Sequence, residues 1–240
     1  MRIYANAYEL VSEIQREVWE MGHIVWPHSM QNKDVSQDES FQTKEIINYS
    51  YCLQSLDKPV YLFIHDPRSL NWVEEEFKER ISNNWINPGE AWKIRPELWE
   101  QFLVDGAFDY TYNERLQKNH TIDKVISEIK KNPDSRQLVM SIWHPVDIIW
   151  IGGVKRVPCS IYYQILVRNG QVNLIYNQRS ADVVTHFGND VYLAWLMMDF
   201  IAKEVDLKPG FLYHNIASLH CYRKDWDKLK TCIETLNGKK

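Results

Sequence analysis

One cysteine of the chain stands in a setting that suits nucleophilic chemistry. Cys159 follows Pro158 and lies within four residues of Lys155 and Arg156. A cation close to a thiol favours the thiolate, which is the attacking form, and so lowers the thiol pKa. The alternative is a buried core cysteine, which is the commoner fate of a free thiol. The pattern therefore nominates Cys159 as a nucleophile and predicts a lowered pKa for it.

A candidate anion-binding pair follows further along the chain. Arg179 offers a forked cation and Ser180 a hydroxyl beside it, which together suit the oxygens of a phosphate. A surface salt bridge between Arg179 and Asp182 is the alternative interpretation. Arg136 is either a second anion clamp or one half of an ion pair at a strand edge.

His220 and Tyr222 are two residues apart in a strand-like segment, so their side chains point to the same face. They could bind one hydroxyl of a ligand, or they could cap a core. The remaining histidines and the four scattered cysteines have no partner at metal-ligand spacing, so no metal site is predicted. No Walker or GxGxxG loop is present, which argues against the usual nucleoside triphosphate and dinucleotide sites.

The composition indicates an ordinary globular protein of 240 residues with 45% hydrophobic residues and a net charge of −4. This charge provides no general attraction for nucleic acid or an anionic membrane. The first ten residues lack the features of a signal peptide, and no apolar run approaches the length of a membrane span. A cytoplasmic protein that binds neither membrane nor nucleic acid is expected.

Periodicity predicts a mixture of helices and strands. Helices are expected at 6–22, 72–81, 121–131 with Thr121 as N-cap, 190–205 and from Trp226 onward. Strands are expected at 46–53, 59–63, 138–143, 161–167, 172–176 and 210–218, with a surface loop at 31–45. Asn169-Gly170 between two of these strands is typical of a tight hairpin. No repeat or linker interrupts the chain, so one α+β domain over 1–240 is predicted.

Several motifs in one order resemble the thymidylate synthase superfamily, which includes the deoxycytidylate hydroxymethylases. They are Pro-Cys at Cys159, Gln178-Arg179-Ser180-x-Asp182, and His220-x-Tyr222. Tyr-Thr-Tyr-x-Glu-Arg-Leu and Asn-Pro-Asp-Ser-Arg are also in register, so the resemblance covers about 110–226. It implies a single domain with a mixed β-sheet packed with helices, and a homodimer formed through that sheet.

The resemblance also assigns roles. Cys159 would add to C6 of a pyrimidine nucleoside monophosphate, and C5 would then attack the one-carbon unit of 5,10-methylenetetrahydrofolate. The other implied contacts are Gln178, Arg179 and Ser180 at the nucleotide with its 5′-phosphate, Arg136 reaching that phosphate from the other subunit, His220 and Tyr222 at the sugar hydroxyl, Tyr112 and Asp182 around the base, and Glu76 as general acid or base. Glu74 and Glu75 remain alternatives to Glu76.

The chain departs from the family pattern in three places. Gln137 follows Arg136 where the family commonly has two adjacent arginines, and Ser160 follows the cysteine where the synthases usually have His. The N-terminal Arg-Thr phosphate loop is not found, although Lys33 lies in a loop that could replace it.

A fourth departure concerns the base. Thymidylate synthases place Asn eight residues after the Asp of Arg-Ser-x-Asp, and its amide pairs with N3–H and O4 of uracil. This chain has Asp190 there, with Asn189 beside it. A carboxyl group can accept from the 4-amino group of cytosine and, when protonated, donate to N3. Asp190 therefore favours dCMP and a dCMP hydroxymethylase, with Asn189 taking its place if the register slips by one.

Three alternatives to this activity remain. They are a methylase or hydroxymethylase variant that acts on dCMP or CMP, a dUMP-methylating thymidylate synthase, and a non-catalytic nucleotide-binding relative.

Overall fold

The computed structural model describes residues 1–118, 120–153 and 155–237. The strands are β1 (Arg2–Tyr4), β2 (His23–Val25), β3 (Ser29–Met30), β4 (Lys33–Asp34), β5 (Thr43–Leu53), β6 (Val139–Ser141), β7 (Ser160–Arg168), β8 (Gln171–Asp182) and β9 (Lys208–Tyr222). The helices are α1 (Ala7–Met21), α2 (Arg68–Ile81), α3 (Pro96–Trp99), α4 (Tyr112–Gln117), α5 (Thr121–Lys131), α6 (Phe187–Glu204) and α7 (Trp226–Asn237).

Most described strands join one mixed sheet in the order β1-β5-β9-β8-β7-β6, with β2 on the edge of β5. The pairs β1/β5 and β8/β9 are parallel, whereas β5/β9, β7/β8, β6/β7 and β2/β5 are antiparallel. Strands β3 and β4 form a separate hairpin. The predicted α+β class with a mixed sheet is confirmed.

The β7–β8 hairpin brings the candidate nucleophile to the candidate anion-binding pair. Its two-residue turn has positive φ at Asn169 and Gly170, as the Asn-Gly pair predicts. From that turn the antiparallel register runs back to Tyr162 opposite Asn177, and a bulge between Ser160 and Tyr162 then shifts it by one residue so that Ser160 pairs with Gln178. The backbone N–H of Arg179 then donates to the carbonyl oxygen of Cys159 at 2.8 Å.

Helices cover one face of this sheet. Residues alternate along β7, β8 and β9 between fully buried and half-buried, which is the pattern of a sheet with two unequal faces. Helix α6 lies on the buried face, and Leu193, Met197 and Ile201 on it are almost wholly excluded from solvent. The opposite face of the central strands remains half-exposed in the single chain.

Some predicted elements differ from the structure. Residues Pro59–Phe63 form a 3-10 helix and not a strand. The loop predicted at 31–45 contains β4, a short 3-10 helix and the start of β5. Thr121 is the first residue of α5 and not its N-cap, which is His120 with no side-chain cap bond. No described helix is long and apolar enough to span a membrane.

Candidate active site

A cavity of about 940 Å³ opens where the ends of β8 and β9 meet the starts of β7 and α6. Helix α2 and the aromatic segment from Trp92 to Tyr112 form its other walls. Of the residues predicted to act together, the cavity wall contains Cys159, Glu76, Tyr112, Arg179, Ser180, Asp182, Asn189, Asp190, His220 and Tyr222. Gln178 lies behind this wall, and Arg136 is exposed elsewhere on the surface.

Cys159 is half-buried at the cavity wall, just before β7. Nη2 of Arg179 lies 3.7 Å from its sulfur, whereas Lys155 lies over the ring of Trp150. Burial raises the pKa of the Cys159 thiol, and the positive charges of Arg179 and Arg156 oppose this only in part. The prediction of a lowered pKa was therefore wrong for the free protein, because the effect of burial exceeds that of the two arginine charges.

Gln31 reaches the same thiol from the β3–β4 hairpin. It has positive φ at the hairpin tip, its Nε2 lies 3.8 Å from the sulfur of Cys159, and its Oε1 accepts from the backbone N–H of Val157 at 3.3 Å. The amide thus ties the hairpin to the nucleophile. Sequence reasoning missed this residue, since a glutamine in a polar segment carries no distinguishing signal. Lys33 contacts Gln101 and lies over the ring of Phe102.

Arg179 is held by backbone carbonyls. Its Nε donates to the carbonyl oxygen of Pro158 at 2.8 Å, and its Nη2 donates to that of Val157 at 3.2 Å. Among the described residues it forms no ion pair with Asp182, whose Oδ1 instead accepts from the backbone N–H of Val184 at 3.0 Å. The guanidinium charge is therefore not neutralised by Asp182 and can attract an anion in the cavity.

Glu76 lines the cavity and is paired with a buried arginine of the same helix. Nε of Arg80 donates to its Oε1 at 2.8 Å. Glu74 is exposed, and Glu75 pairs with Lys78 at 3.0 Å on the outer side of α2. Of the three glutamates considered as general acid or base, Glu76 is therefore the one with access to the cavity.

Tyr112 begins a chain of hydroxyl groups. Its hydroxyl lies 3.1 Å from Oγ of Ser160, which lies 2.5 Å from the hydroxyl of Tyr176. The guanidinium of Arg80 stacks 3.9 Å from the centre of the Tyr112 ring. Burial raises the pKa of Tyr112 well above its ordinary value, so its phenol stays protonated and available as a donor.

Asp190 lies in the first turn of α6, which begins three residues earlier than predicted. Its Oδ2 accepts from Nε2 of Gln178 at 2.6 Å. Burial raises the pKa of Asp190 to about 6, an effect that the bond from Gln178 and the charge of Arg80 reduce. The neighbouring Asn189 is buried and donates to the backbone carbonyl of Thr185 at 3.4 Å.

His220 and Tyr222 face the cavity from the end of β9, with their ring centres 5.0 Å apart. Nδ1 of His220 lies 3.4 Å from Oγ of Ser218. Burial lowers the pKa of His220, so the ring is neutral near pH 7 and can donate from only one nitrogen.

The far wall of the cavity combines flat rings with unpartnered donors. Trp92, Trp99, Arg95 and His65 line it, and each has a buried side-chain nitrogen without a hydrogen-bond partner among the described residues. In Arg95 this nitrogen is Nη1, since Nε lies 3.4 Å from Oδ2 of Asp66 in an ion pair. Buried polar groups are ordinarily hydrogen-bonded. A flat heterocycle with several acceptors would satisfy both the ring surfaces and these donors.

The comparisons with a family model and with individual known proteins agree on one family. A family model described as thymidylate synthase matches residues 60–238. Mycoplasma pneumoniae thymidylate synthase is 34% identical over 186 residues, which cover 70% of this chain and 63% of that protein. A Methanosarcina barkeri protein, provisionally named as the same enzyme, is 29% identical over 175 residues, covering 69% of this chain and 76% of its own length.

The match to the family model spans well over half of the chain and includes the predicted site residues from Glu76 to Tyr222. The chain belongs to the thymidylate synthase family, whose members are folate-dependent transferases that move a one-carbon unit from 5,10-methylenetetrahydrofolate to a pyrimidine nucleotide.

Proposed function

We propose that this enzyme is a deoxycytidylate 5-hydroxymethylase, which converts dCMP, 5,10-methylenetetrahydrofolate and water to 5-hydroxymethyl-dCMP and tetrahydrofolate. The observation that carries the proposal is Asp190, a partly buried carboxyl group at the cavity wall whose pKa is raised to about 6. A carboxyl group with this pKa can take up a proton when the base binds, and its protonated form presents a donor and an acceptor side by side.

The donor and the acceptor of the protonated Asp190 carboxyl group complement the edge of cytosine. N3 of cytosine accepts a hydrogen bond and its 4-amino group donates one, whereas uracil offers N3–H and the acceptor O4. A buried site built for one of these patterns rejects the other strongly, because mismatched polar groups stay unpaired. The side chain of Asn189 contacts the carbonyl of Thr185, which supports Asp190 as the residue that reads the base.

The remaining residues divide the chemistry between them. Arg179 and Ser180 would hold the 5′-phosphate and so place C6 against the sulfur of Cys159. Attack by the thiolate forms the S–C6 bond and makes C5 nucleophilic. Burial raises the pKa of the thiol in the free protein. The thiol must therefore first lose its proton to water in the cavity, and the resulting thiolate is the form that attacks C6.

The later steps need groups on the opposite wall. 5,10-Methylenetetrahydrofolate supplies the one-carbon unit to C5 when it is bound. Tyr112 would stand near the C5 proton, where a protonated phenol can hold the water that carries this proton away. Glu76 would serve as the general acid or base for the one-carbon unit and for the water that supplies the hydroxyl group. Departure of the Cys159 thiolate from C6 restores the aromatic ring.

The folate is proposed to lie against the far wall. The rings of Trp92 and Trp99 provide flat surfaces, Nη1 of Arg95 provides a donor, and Nε2 of His65 provides a donor or an acceptor according to its tautomer. Sugar contacts are assigned to His220 and Tyr222, which could serve either deoxyribose or ribose.

A second function is favoured by a specific observation. The Mycoplasma pneumoniae relative is named thymidylate synthase, and that name favours dUMP as the substrate and a methyl group as the product. Water addition gives the hydroxymethyl product and hydride transfer from the folate gives the methyl product. A dCMP or CMP methylase combines the cytosine base with the second outcome.

A homodimer is also proposed, formed through the half-exposed face of the sheet. That face presents Tyr162, Leu166, Ile175 and Tyr213 without a covering helix among the described residues. Nδ2 of Asn177 on the same face is buried and has no described partner. Arg136 lies outside the cavity of its own chain, which fits a role in the site of the other subunit.

The experiment that tests the proposed function is incubation of the enzyme with 5,10-methylenetetrahydrofolate and either dCMP, CMP or dUMP, with product mass read directly. We expect 5-hydroxymethyl-dCMP, and no product from the matched Cys159→Ala enzyme. A methylated cytosine product would reassign the enzyme as a methylase. Turnover of dUMP in preference to dCMP would establish the thymidylate synthase function instead.

A further inference from the structure

A buried chain of hydrogen bonds leads from Asp190 away from the cavity. Nε2 of Gln178 lies 2.6 Å from Oδ2 of Asp190, and Oε1 of Gln178 lies 2.9 Å from Nε2 of His214. Nδ1 of His214 lies 2.9 Å from the hydroxyl of Tyr51. The sheet builds this relay directly, because Tyr51 and His214 are opposite each other on β5 and β9 and Gln178 lies on the adjacent β8.

We propose that His214, acting through Gln178, decides which oxygen of Asp190 can carry a proton, and that it thereby makes the site select cytosine over uracil. His214 is a positioning residue in this proposal, since it does not line the cavity. The inference rests on the proposed function, because it explains how Asp190 reads the base.

The relay has two conceivable directions. In the first, Tyr51 donates to Nδ1 of His214, Nε2–H of His214 donates to Gln178, and the Gln178 amide donates to Asp190. In the second, every donor and acceptor is reversed, and Asp190 must donate its own proton to Gln178. A neutral histidine permits either direction, because one ring nitrogen donates while the other accepts.

Tyr51 breaks this symmetry. Its side chain is fully buried, and its hydroxyl has no partner other than His214 among the described residues. In the second direction the hydroxyl hydrogen would be left in an apolar site with nothing to accept it, which costs the desolvation of a donor. The first direction satisfies every group, so Oδ2 of Asp190 is held as an acceptor.

The surroundings of His214 keep the ring neutral, as this direction requires. The ring stacks 4.3 Å from that of Tyr176 at an interplanar angle of 11°, and Phe187 lies parallel to it. Burial lowers the pKa of His214 to about 3. The imidazole therefore serves as a fixed donor and acceptor, and it does not change charge in the working pH range.

The consequence for Asp190 is that its proton is confined to Oδ1. An isolated carboxylic acid can carry its proton on either oxygen, so it could pair with cytosine or uracil. If Oδ1 of Asp190 lies opposite N3 of cytosine, the Oδ1 hydroxyl donates to N3 while Oδ2 accepts from the 4-amino group. Uracil would need Oδ2 to donate to O4, and the amide of Gln178 opposes a proton there.

Tyr51→Phe is the gentlest test, because it removes one buried oxygen that is three hydrogen bonds away from Asp190. Without that donor His214 can adopt either tautomer, so the side-chain amide of Gln178 can rotate and present its oxygen to Asp190. Oδ2 of Asp190 can then carry the proton that pairing with uracil requires. We expect the ratio of kcat/KM for dCMP to that for dUMP to fall about tenfold, as loss of one buried donor allows. His214→Phe, which keeps a stacking ring, should lower the ratio at least as far.

The matched control is Tyr49→Phe. Tyr49 lies on the same strand and is equally buried, but its hydroxyl pairs with that of Tyr4 at 2.6 Å and not with the relay. In Tyr49→Phe the ratio of kcat/KM for dCMP to that for dUMP should equal the ratio in the wild type. The double variant of Tyr51 and His214 should be no less selective than His214→Phe alone, because both changes act on one relay.

Nitrogen-15 NMR of the histidine rings gives a readout that is independent of activity. We expect His214 to be protonated on Nε2 and unprotonated on Nδ1. The opposite tautomer would overturn the proposed direction of the relay. Unchanged selectivity in Tyr51→Phe and His214→Phe, in an enzyme that prefers dCMP, would also overturn it. A wild-type preference for dUMP would refute the proposed function instead, while the NMR result would still report the direction of the relay.

Discussion

Arg80 contacts Glu76 through a hydrogen bond of 2.8 Å between Nε and Oε1, one turn apart on α2. The arginine side chain is 4% exposed, and its guanidinium also lies over the Tyr112 ring. A buried cation thus fixes the carboxylate that is proposed to act as general acid or base and stacks on the tyrosine placed near C5. The position of these two groups relative to each other depends on one side chain.

Replacing Arg80 by Met should impair both stability and catalysis. Breaking a buried pair leaves its partner charge uncompensated, so the free energy of unfolding should fall by about 3 to 5 kcal/mol. The value of kcat should fall by about a hundredfold, since a misplaced general acid or base loses most of its effect. Denaturant unfolding and steady-state kinetics measure the two effects.

Lys78→Met is the matched control for this change. It breaks the exposed Lys78–Glu75 pair on the same helix. Exposed ion pairs contribute little, so both quantities should match those of the wild type. Equal losses in the two variants would show that α2 is merely sensitive to substitution.

Removal of the Cys159 sulfur should separate binding from chemistry. Cys159→Ala should release no tritium from C5 of labelled dCMP, because C5 becomes reactive only after addition to C6. Nucleotide binding should persist, since the contacts assigned to Arg179 and Ser180 do not involve the sulfur. Tritium release and equilibrium binding measure the two effects, and tritium release at the wild-type rate would rule out the covalent mechanism.

The parts of the site that the sequence predicts are those set by local rules. The Asn-Gly turn fixes the hairpin register as far as Tyr162 opposite Asn177, which brings Cys159 to the Arg179-Ser180 pair at the far ends of β7 and β8. A bulge between Ser160 and Tyr162 then shifts the register by one residue and sets Cys159 against the backbone of Arg179. The alternation of His220 and Tyr222 along a strand similarly places both at one cavity. Each of these relationships depends on residues that are neighbours in one hairpin or one strand.

The parts that the sequence does not predict depend on contacts between distant segments. Arg80 lies in a charged helical run that is typical of a solvated face, and only the packing of α2 against Tyr112 and Tyr163 buries it. Gln31 meets Cys159 across 128 residues of sequence. His214 gives no sign of its contact with Gln178, because nothing in either local pattern shows that the two strands are neighbours.

Changing Asp190 to Asn should reverse the preference for the base. An amide can accept from N3–H and donate to O4, so kcat/KM should rise for dUMP and fall for dCMP, shifting their ratio by about a hundredfold or more. Competition between the two nucleotides, followed by product mass, measures this ratio. Asn189→Ala is the control, and it should leave the preference unchanged because that side chain contacts the backbone of Thr185.

Binding of dCMP should weaken as the pH rises through about 6. The pKa of Asp190 in the free enzyme is about 6, and pairing with N3 requires the protonated carboxyl. Raising the pH above this value removes that proton, so the dissociation constant for dCMP should increase. The measurement is best made in Cys159→Ala, where no covalent bond forms and no thiol titrates at the cavity wall.

The 5′-phosphate provides the internal reference for this experiment. It loses its second proton near pH 6, and the extra negative charge should strengthen contact with Arg179, which is the opposite direction. A double variant with Cys159→Ala and Asp190→Asn should therefore show only the strengthening. Parallel pH profiles for the two proteins would mean that Asp190 does not donate to the base.

The proposed role of Arg136 can be tested by mixing two inactive enzymes. Arg136→Ala lacks the phosphate contact and Cys159→Ala lacks the nucleophile. If each site uses its own cysteine and the arginine of the other subunit, a hybrid dimer contains one intact site and one doubly defective site. Random exchange makes half of the dimers hybrid, so the mixture should recover about 25% of the wild-type activity. An arginine that serves its own chain would leave no site intact, and the mixture would then be no more active than its components.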